Sequence, residues 1–285
     1  MNITEVSKEE RSSFIADAFK QACMAELTAL KPGNVHIFAD GHGMVVQDFI
    51  KSAEVVADVI AQPGLTVGQR ILSSVQATWQ AVGCNTNLGI ILLAAPLIQA
   101  ALLDNESDLQ ENVHLVLSEL TVEDAILAYQ AIKLASPAGL GRSEQHDVSL
   151  APSVTLLVGM QQAQERDMIA RQYANDYKEI MNFGLSCYDQ AMAKWQQPAW
   201  AVSALYLGFL ARYNDSHISR KYGDVSVKEV RKAGRKHHQA LSRLENPKLY
   251  QRELMKWDSE LKQRKLNPGT SADLTVATIF VASII

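Results

Sequence analysis

Strong charge of either sign is missing from this chain. Lys and Arg total 27 against 31 Asp and Glu, a net charge of −4 over 285 residues. That balance gives no electrostatic case for nucleic acid or an anionic membrane, so an anionic ligand would need a local basic pocket. Cysteine is scarce too. Cys23, Cys84 and Cys187 lie far apart with no CxxC, which reads as free thiols in a reducing cytosol rather than a disulfide frame. The first residues, MNITEVSKEERSS, lack an apolar core for a signal peptide. The longest uncharged apolar run, Leu88 to Leu103, is interrupted by Pro96 and Gln99. It is shorter than the roughly 20 residues of a membrane span and suits the central helix of a helical core. Sustained alternation of Val, Ile or Thr with polar residues is absent, so strands are few. These absences describe a cytoplasmic protein with no membrane or nucleic-acid partner.

What the chain does have is helical periodicity, within an ordinary 47% hydrophobic and 20% charged composition. Ser7 and Glu10 form a capping box ahead of Phe14, Ile15, Ala18, Phe19, Ala22, Cys23 and Leu27 on one face. Pro32-Gly33 stops that helix. Phe49 to Ile60 marks a second, closed by Pro63-Gly64, and Thr66 with Gln69 caps a third running to Gly83. A fourth starts after Asn85-Thr86-Asn87. Two more cover about 107–117 and 122–134. After the loop SPAGLGRSEQHDVS, long helices are expected at roughly 153–194, 198–213, 226–245, 248–265 and 272–284. The fold class is all-α: about ten helices in one domain over 1–285, with a cleft lined by polar loops. Apolar surface helices would suit a homodimer.

The unusual content sits in the breaks: KPGNVH (31–36), GCNTNLG (83–89), GLGRSEQHD (139–147), DSHISRKYGD (215–224) and NPGTSADL (267–274). Helix starts present unpaired N–H groups and a positive dipole end, so such breaks can receive phosphates. As a plain cap, NPGTSADL would use Thr270 or Ser271 as N-cap, with Asp273 complementing the dipole. That accounts for the hydroxyls and the carboxylate but not for Pro-Gly. The Asn-Thr-Asn start of the most apolar helix lies close to the core, where pocket walls sit. A turn HISRKYGD and the cations after it would, alone, be a solvated surface. His36 and His42 could ligate a metal but lack a third ligand. His146-Asp147 matches the HD pair of helical metal phosphohydrolases, yet lies in a Gly-rich loop.

Taken in order, Glu26 through Lys31-Pro32-Gly33, Ser52-Ala53, Asn85-Thr86 with Gly89, HISRKYG and NPGTSADL resemble the triphosphoribosyl-dephospho-CoA synthase family across nearly the whole chain. The resemblance implies an all-helical enzyme that moves the triphosphoribosyl group of ATP to a ribose hydroxyl of dephospho-CoA and releases adenine. The product would be the prosthetic-group precursor for the acyl carrier subunit of citrate lyase or malonate decarboxylase. Two departures mark a divergent branch and leave a related ribosyl acceptor open. After Asn85-Thr86 the chain has Asn87-Leu88-Gly89 where the family has His-Lys-Gly, and after Pro32-Gly33 it has Asn34-Val35-His36 where the family has Leu-Val-Asp. Cleaving the ribose–adenine bond passes through an oxocarbenium-like state, for which carboxylates serve as stabiliser and base. The candidates are Asp273, Glu26, Asp224 and Asp147. Lys31, Arg220 and Lys221, with Asn34, Asn85, Thr86, Asn267, Gly269, Thr270 and Ser271, would bind ATP and its phosphates. Asp273 and Asp147 would hold Mg²⁺. Two other classes stay open: a metal phosphohydrolase built on His36, His146 and Asp147, and a nucleotide-binding protein without catalysis.

Overall fold

The computed structural model describes residues 7–41, 43–136 and 150–285. Thirteen α-helices account for the architecture, and among the described residues there is no strand. In order they are α1 (Lys8–Thr28), α2 (Val46–Ala61), α3 (Val67–Val82), α4 (Leu88–Ala101), α5 (Leu109–Ser118), α6 (Val122–Ala135), α7 (Leu156–Ala163), α8 (Met168–Ala174), α9 (Leu185–Trp195), α10 (Pro198–Arg212), α11 (Ser216–Ser242), α12 (Gln251–Gln263) and α13 (Gly269–Ile284). A π-helical segment, Glu179–Gly184, leads directly into α9, and a 3₁₀ turn, Pro247–Tyr250, leads into α12. His36–Ala39 and Gly41–Met44 make only isolated antiparallel bridges.

The start signals act as the residues dictate. Ser7–Glu10, Thr66–Gln69 and Thr121–Asp124 all form reciprocal capping boxes. The all-α expectation holds, but two stretches differ from the sequence reading. The helix expected at 153–194 is broken into α7, α8, the π segment and α9. Asp167 caps a fresh helix start at α8, and Asp176 and Tyr177 take left-handed backbone angles (φ 57° and 59°) that end it. The second difference is HISRKYG. It is not a loop but the first turns of α11, and the helix is interrupted only at Gly223 (φ 76°).

Two adjoining apolar clusters form the interior. One gathers α1 to α8 with α13; the other joins α10, α11 and α12 with Leu30 and Leu266. Helix α13 packs against α1, α4 and α10, and Leu274, Val276, Ala277, Phe280 and Val281 are buried. Pro96 lies inside α4 and cannot donate to Leu92 O; the Tyr173 hydroxyl donates to that carbonyl instead at 2.6 Å. Tyr177 does the same for Leu93 O at 2.9 Å. Together these fix α8 and the turn that follows it against α4.

Candidate active site

Four helix starts are tied to one another by side chains, and the ties define the site. Asp215, the N-cap of α11, accepts from Ile218 N (3.1 Å) through one oxygen. Its other oxygen accepts from both Ser271 N (2.8 Å) and Ser271 Oγ (2.9 Å) in the first turn of α13. Thr270 Oγ1 accepts from His217 N at 3.2 Å, returning a tie from α13 to α11. Ser216 Oγ accepts from Met168 N at 2.7 Å, joining the starts of α11 and α8. Asp167 caps α8 with one oxygen and takes Arg220 Nη1 with the other at 2.5 Å. The fourth start, α4, is capped by Asn85 Oδ1, which accepts from Leu88 N at 3.1 Å, and it meets α13 at Gly89. A Cβ on Gly89 would lie 2.0 Å from Asp273 Oδ2 and 2.5 Å from Cγ. Only glycine lets the Asp273 carboxyl rest against the backbone of α4.

Thr270 and Ser271 therefore do not cap their own helix. Helix α13 has no cap from its own side chains; its first turn is held from outside by Asp215. The side chains of this turn serve the neighbouring helix start, which is why the Pro-Gly turn places the helix there. The consequence is electrostatic: the α4 and α13 starts meet at the Asp273 carboxyl, while the neighbouring α8 and α11 starts are each capped by a carboxylate, Asp167 and Asp215.

Asp273 itself sits where burial raises its carboxyl well above the ordinary value, with Asp215 and Glu26 adding to the rise and Arg220 opposing it. Asp215 is also raised, chiefly by burial, against the three hydrogen bonds that favour its charge. Arg220 is the nearby cation with spare capacity: its Nε is buried without a hydrogen-bond partner.

Beside this cluster, Glu26 and Lys31 form a buried ion pair. Lys31 Nζ also donates to Asn34 Oδ1 (3.1 Å) and Val35 O (2.7 Å), so its three donors are all engaged. Burial pushes Glu26 up and Lys31 down, each offset by its partner's charge. Asn34 Nδ2 reaches Asn267 Oδ1 at 2.8 Å, linking the KPGNVH turn to the NPGTSADL turn. Gly33 (φ 85°) is pressed between Leu266 O and Pro268 Cδ, where a Cβ would approach to 2.8 and 2.9 Å. Its N–H goes to Asp258 Oδ1 at 2.8 Å. Asp258 also takes His36 Nε2 (3.3 Å) and Lys262 Nζ (3.1 Å), so His36 is committed to fixing this turn.

The structure thus brings together Asp273, Glu26, Lys31, Asn34, Asn85, Arg220, Asn267, Gly269, Thr270 and Ser271. Thr86 lines the same side through a 2.7 Å contact with Ser52 Oγ. Gly269 opens α13 against the His217 ring. Asp224 and Lys221 do not join them: both are exposed, Asp224 beside Lys228 at 3.9 Å and Lys221 over the Tyr222 ring. Asp147 and His146 lie outside the described residues, as does His42. Asp215, Asp167 and Asp258 were not singled out by sequence. The signal for Asp215 was present: Asp-Ser before a helix is an N-cap pattern. No sequence rule says that its second oxygen serves another helix.

The sequence matches the family model described as ATP:dephospho-CoA triphosphoribosyl transferase over residues 12–285. The chain belongs to this family. The transferase is also similar to a solved structure from Archaeoglobus fulgidus described as a triphosphoribosyl-dephospho-CoA synthase. The two share 22% identity with a TM-score of 0.62, over 83% of this chain and 97% of the other, a likeness that shows the fold. No curated protein matches the sequence. Membership makes this chain a transferase whose family moves a triphosphoribosyl group to dephospho-CoA. Among the described residues no helix is long and apolar enough to cross a membrane.

Proposed function

We propose that this transferase moves the 5′-triphosphoribosyl group of ATP to dephospho-CoA, or a closely related riboside, with release of adenine, in one domain centred on Asp273. The observation that carries the reading is the seating of the Asp273 carboxyl against Gly89, among four helix starts. Arg220 would receive the triphosphate, its spare Nε offering one donor, with the starts of α4 and α13 beside it. Lys31, with its donors engaged, acts through its charge and by holding the 31–36 turn. Glu26 acts through Lys31 and is a positioning residue.

Burial favours the protonated form of the Asp273 carboxyl, the form that can give up a proton. It donates its proton to adenine as the C1′–N bond breaks, which lowers the barrier to departure. The resulting carboxylate faces the positive charge that develops on the ribose. The acceptor hydroxyl then forms the new C1′–O bond, and its proton returns to Asp273. One proton leaves and one arrives, so the site is reset.

Mg²⁺ at Asp273 and Asp147 would draw on one described carboxyl, Asp273, and on a residue outside the described ones. Among the described residues no three His, Cys, Asp or Glu side chains are grouped to hold an ion. Mg²⁺ belongs to this scheme as the nucleotide's own counter-ion.

Chromatography of an ATP and dephospho-CoA reaction should show free adenine and a product heavier by one triphosphoribosyl unit. Phosphate release with adenine still attached would instead favour a phosphohydrolase, and ATP returned intact a binding protein.

A further inference from the structure

A second concavity lies outside the Asp273 site, between the π segment, α9, α10 and the C-terminal half of α11. It encloses about 470 Å³, within the range of small-molecule sites. Phe183 and Trp195 give it an aromatic lining, while Arg212 and Lys194 are its cations. Among the described residues no carboxylate lines it. The inner titratable groups are neutral near pH 7. Burial pushes the Cys187 thiol to about 11 and pulls the neighbouring His238 imidazole down. Arg212 is exposed, its guanidinium 4.8 Å above the Phe183 ring. Lys194 is partly engaged, by Ser242 O at 2.9 Å and the exposed Glu245 at 3.4 Å.

The π segment is the second observation. It supplies Phe183 and Asn182 to this groove, and π turns are retained mostly where they re-aim side chains at functional sites. The groove is also near the transferase site. Arg212 precedes Asp215 by three residues, a span of at most about 11 Å. Next to the lining residue Phe183, Gly184 packs against Thr278, where a Cβ would come within 2.6 Å of its Oγ1. Thr278 is about 7.5 Å along α13 from Asp273.

We infer that this groove is the binding site for the phosphopantetheine arm of the acceptor. Its aromatic and thiol lining would take the apolar, amide-bearing chain, and Arg212 the phosphate at its head. The assignment rests on the acceptor proposed above and adds where its non-reacting half binds. With the arm in the groove and its head phosphate at Arg212, the adenosine that carries the acceptor hydroxyl would reach toward the Asp273 cleft, so the groove would select acceptors carrying the arm over plain ribosides.

The test uses the full chain and 4′-phosphopantetheine as the calorimetric probe, with Ser186→Trp to fill the groove from its exposed rim and Arg212→Ala to remove the cation. The parent should bind the probe, Ser186→Trp should abolish binding, and Arg212→Ala should weaken it about tenfold, the scale of one charge-assisted contact. In turnover, KM for dephospho-CoA should rise about tenfold or more in both variants, with KM for ATP and kcat held. Arg212 is exposed, so its variant remains informative even if the Trp variant misfolds. Probe binding that survives in both variants, or an unchanged KM for dephospho-CoA, overturns the assignment. If the parent releases no adenine with dephospho-CoA, the reading of the reaction fails, and probe binding still decides the groove.

Discussion

Gly89→Ala asks whether the placement of one carboxyl controls the reaction. A Cβ there would lie 2.0 Å from Asp273 Oδ2, about 1 Å inside the closest approach that real Cβ atoms make. The backbone of α4 is fixed by Tyr173 and Tyr177 on its carbonyls, so the side chain of Asp273 must give way. Turning it away from its rotamer costs about 1 kcal/mol. Alanine in place of glycine in a helix returns a comparable amount, about 0.5–1 kcal/mol. The two nearly cancel, and the melting temperature should stay within a few degrees of the parent. A reactive group moved by about 1 Å can cost on the order of a hundredfold in rate. Adenine release from ATP and dephospho-CoA should therefore fall by about a hundredfold in a protein that melts normally. Near-parental turnover in Gly89→Ala would refute the claim that Asp273 acts from its present seat.

The remaining expectations are these. Asp273→Asn should lower turnover about a hundredfold or more, since the amide can neither give nor take the proton. Because the folded carboxyl is raised, its neutral form contributes stability that is whole below the ordinary carboxylate range and is lost as pH rises through the raised value. The Asn variant has no such loss, so its melting temperature should gain on the parent with rising pH; parallel curves would contradict the buried acid. Arg220→Ala should weaken ATP binding at least tenfold by calorimetry and Lys221→Ala should leave it unchanged, because only Arg220 has a buried spare donor. Equal effects would move the phosphate site to the surface. Lys31→Met strands the Glu26 carboxyl in the interior and should destabilise the fold by about 3–5 kcal/mol in urea unfolding; a change below about 1 kcal/mol would mean that the pair is not a structural tie.

Helix starts were legible where cap and periodicity agree, as at Ser7, Thr66 and Thr121, because both signals are local. The break at Asp176-Tyr177 was not, since nothing in their neighbourhood demands left-handed angles; the anchoring of Tyr177 on Leu93 O is a long-range cause. HISRKYG reads as a turn in the sequence because Arg220 and Lys221 run into Gly223 and only Ile218 and Tyr222 are apolar. Its helical state is set by Asp215 at its head and by buried Ile218. For the site, residue types were readable and their partners were not. Asp224 and Asp273 are both acids beside a helix break, yet one meets water and the other Gly89. A glycine cradle for a carboxyl has no spacing rule along the chain.

The burial of α13 between α1, α4 and α10 has a consequence for biogenesis. It follows in the chain every element that it separates, so a nascent protein carries those partners before the helix that fills the space between them. Until α13 arrives, the apolar flanks of α4 face solvent, and the ties from Asp215 to Ser271 and from Gly89 to Asp273 do not exist. Apolar surface left without its partner is what makes partly folded chains prone to aggregate. The same helix therefore completes both the apolar core and the Asp273 cradle.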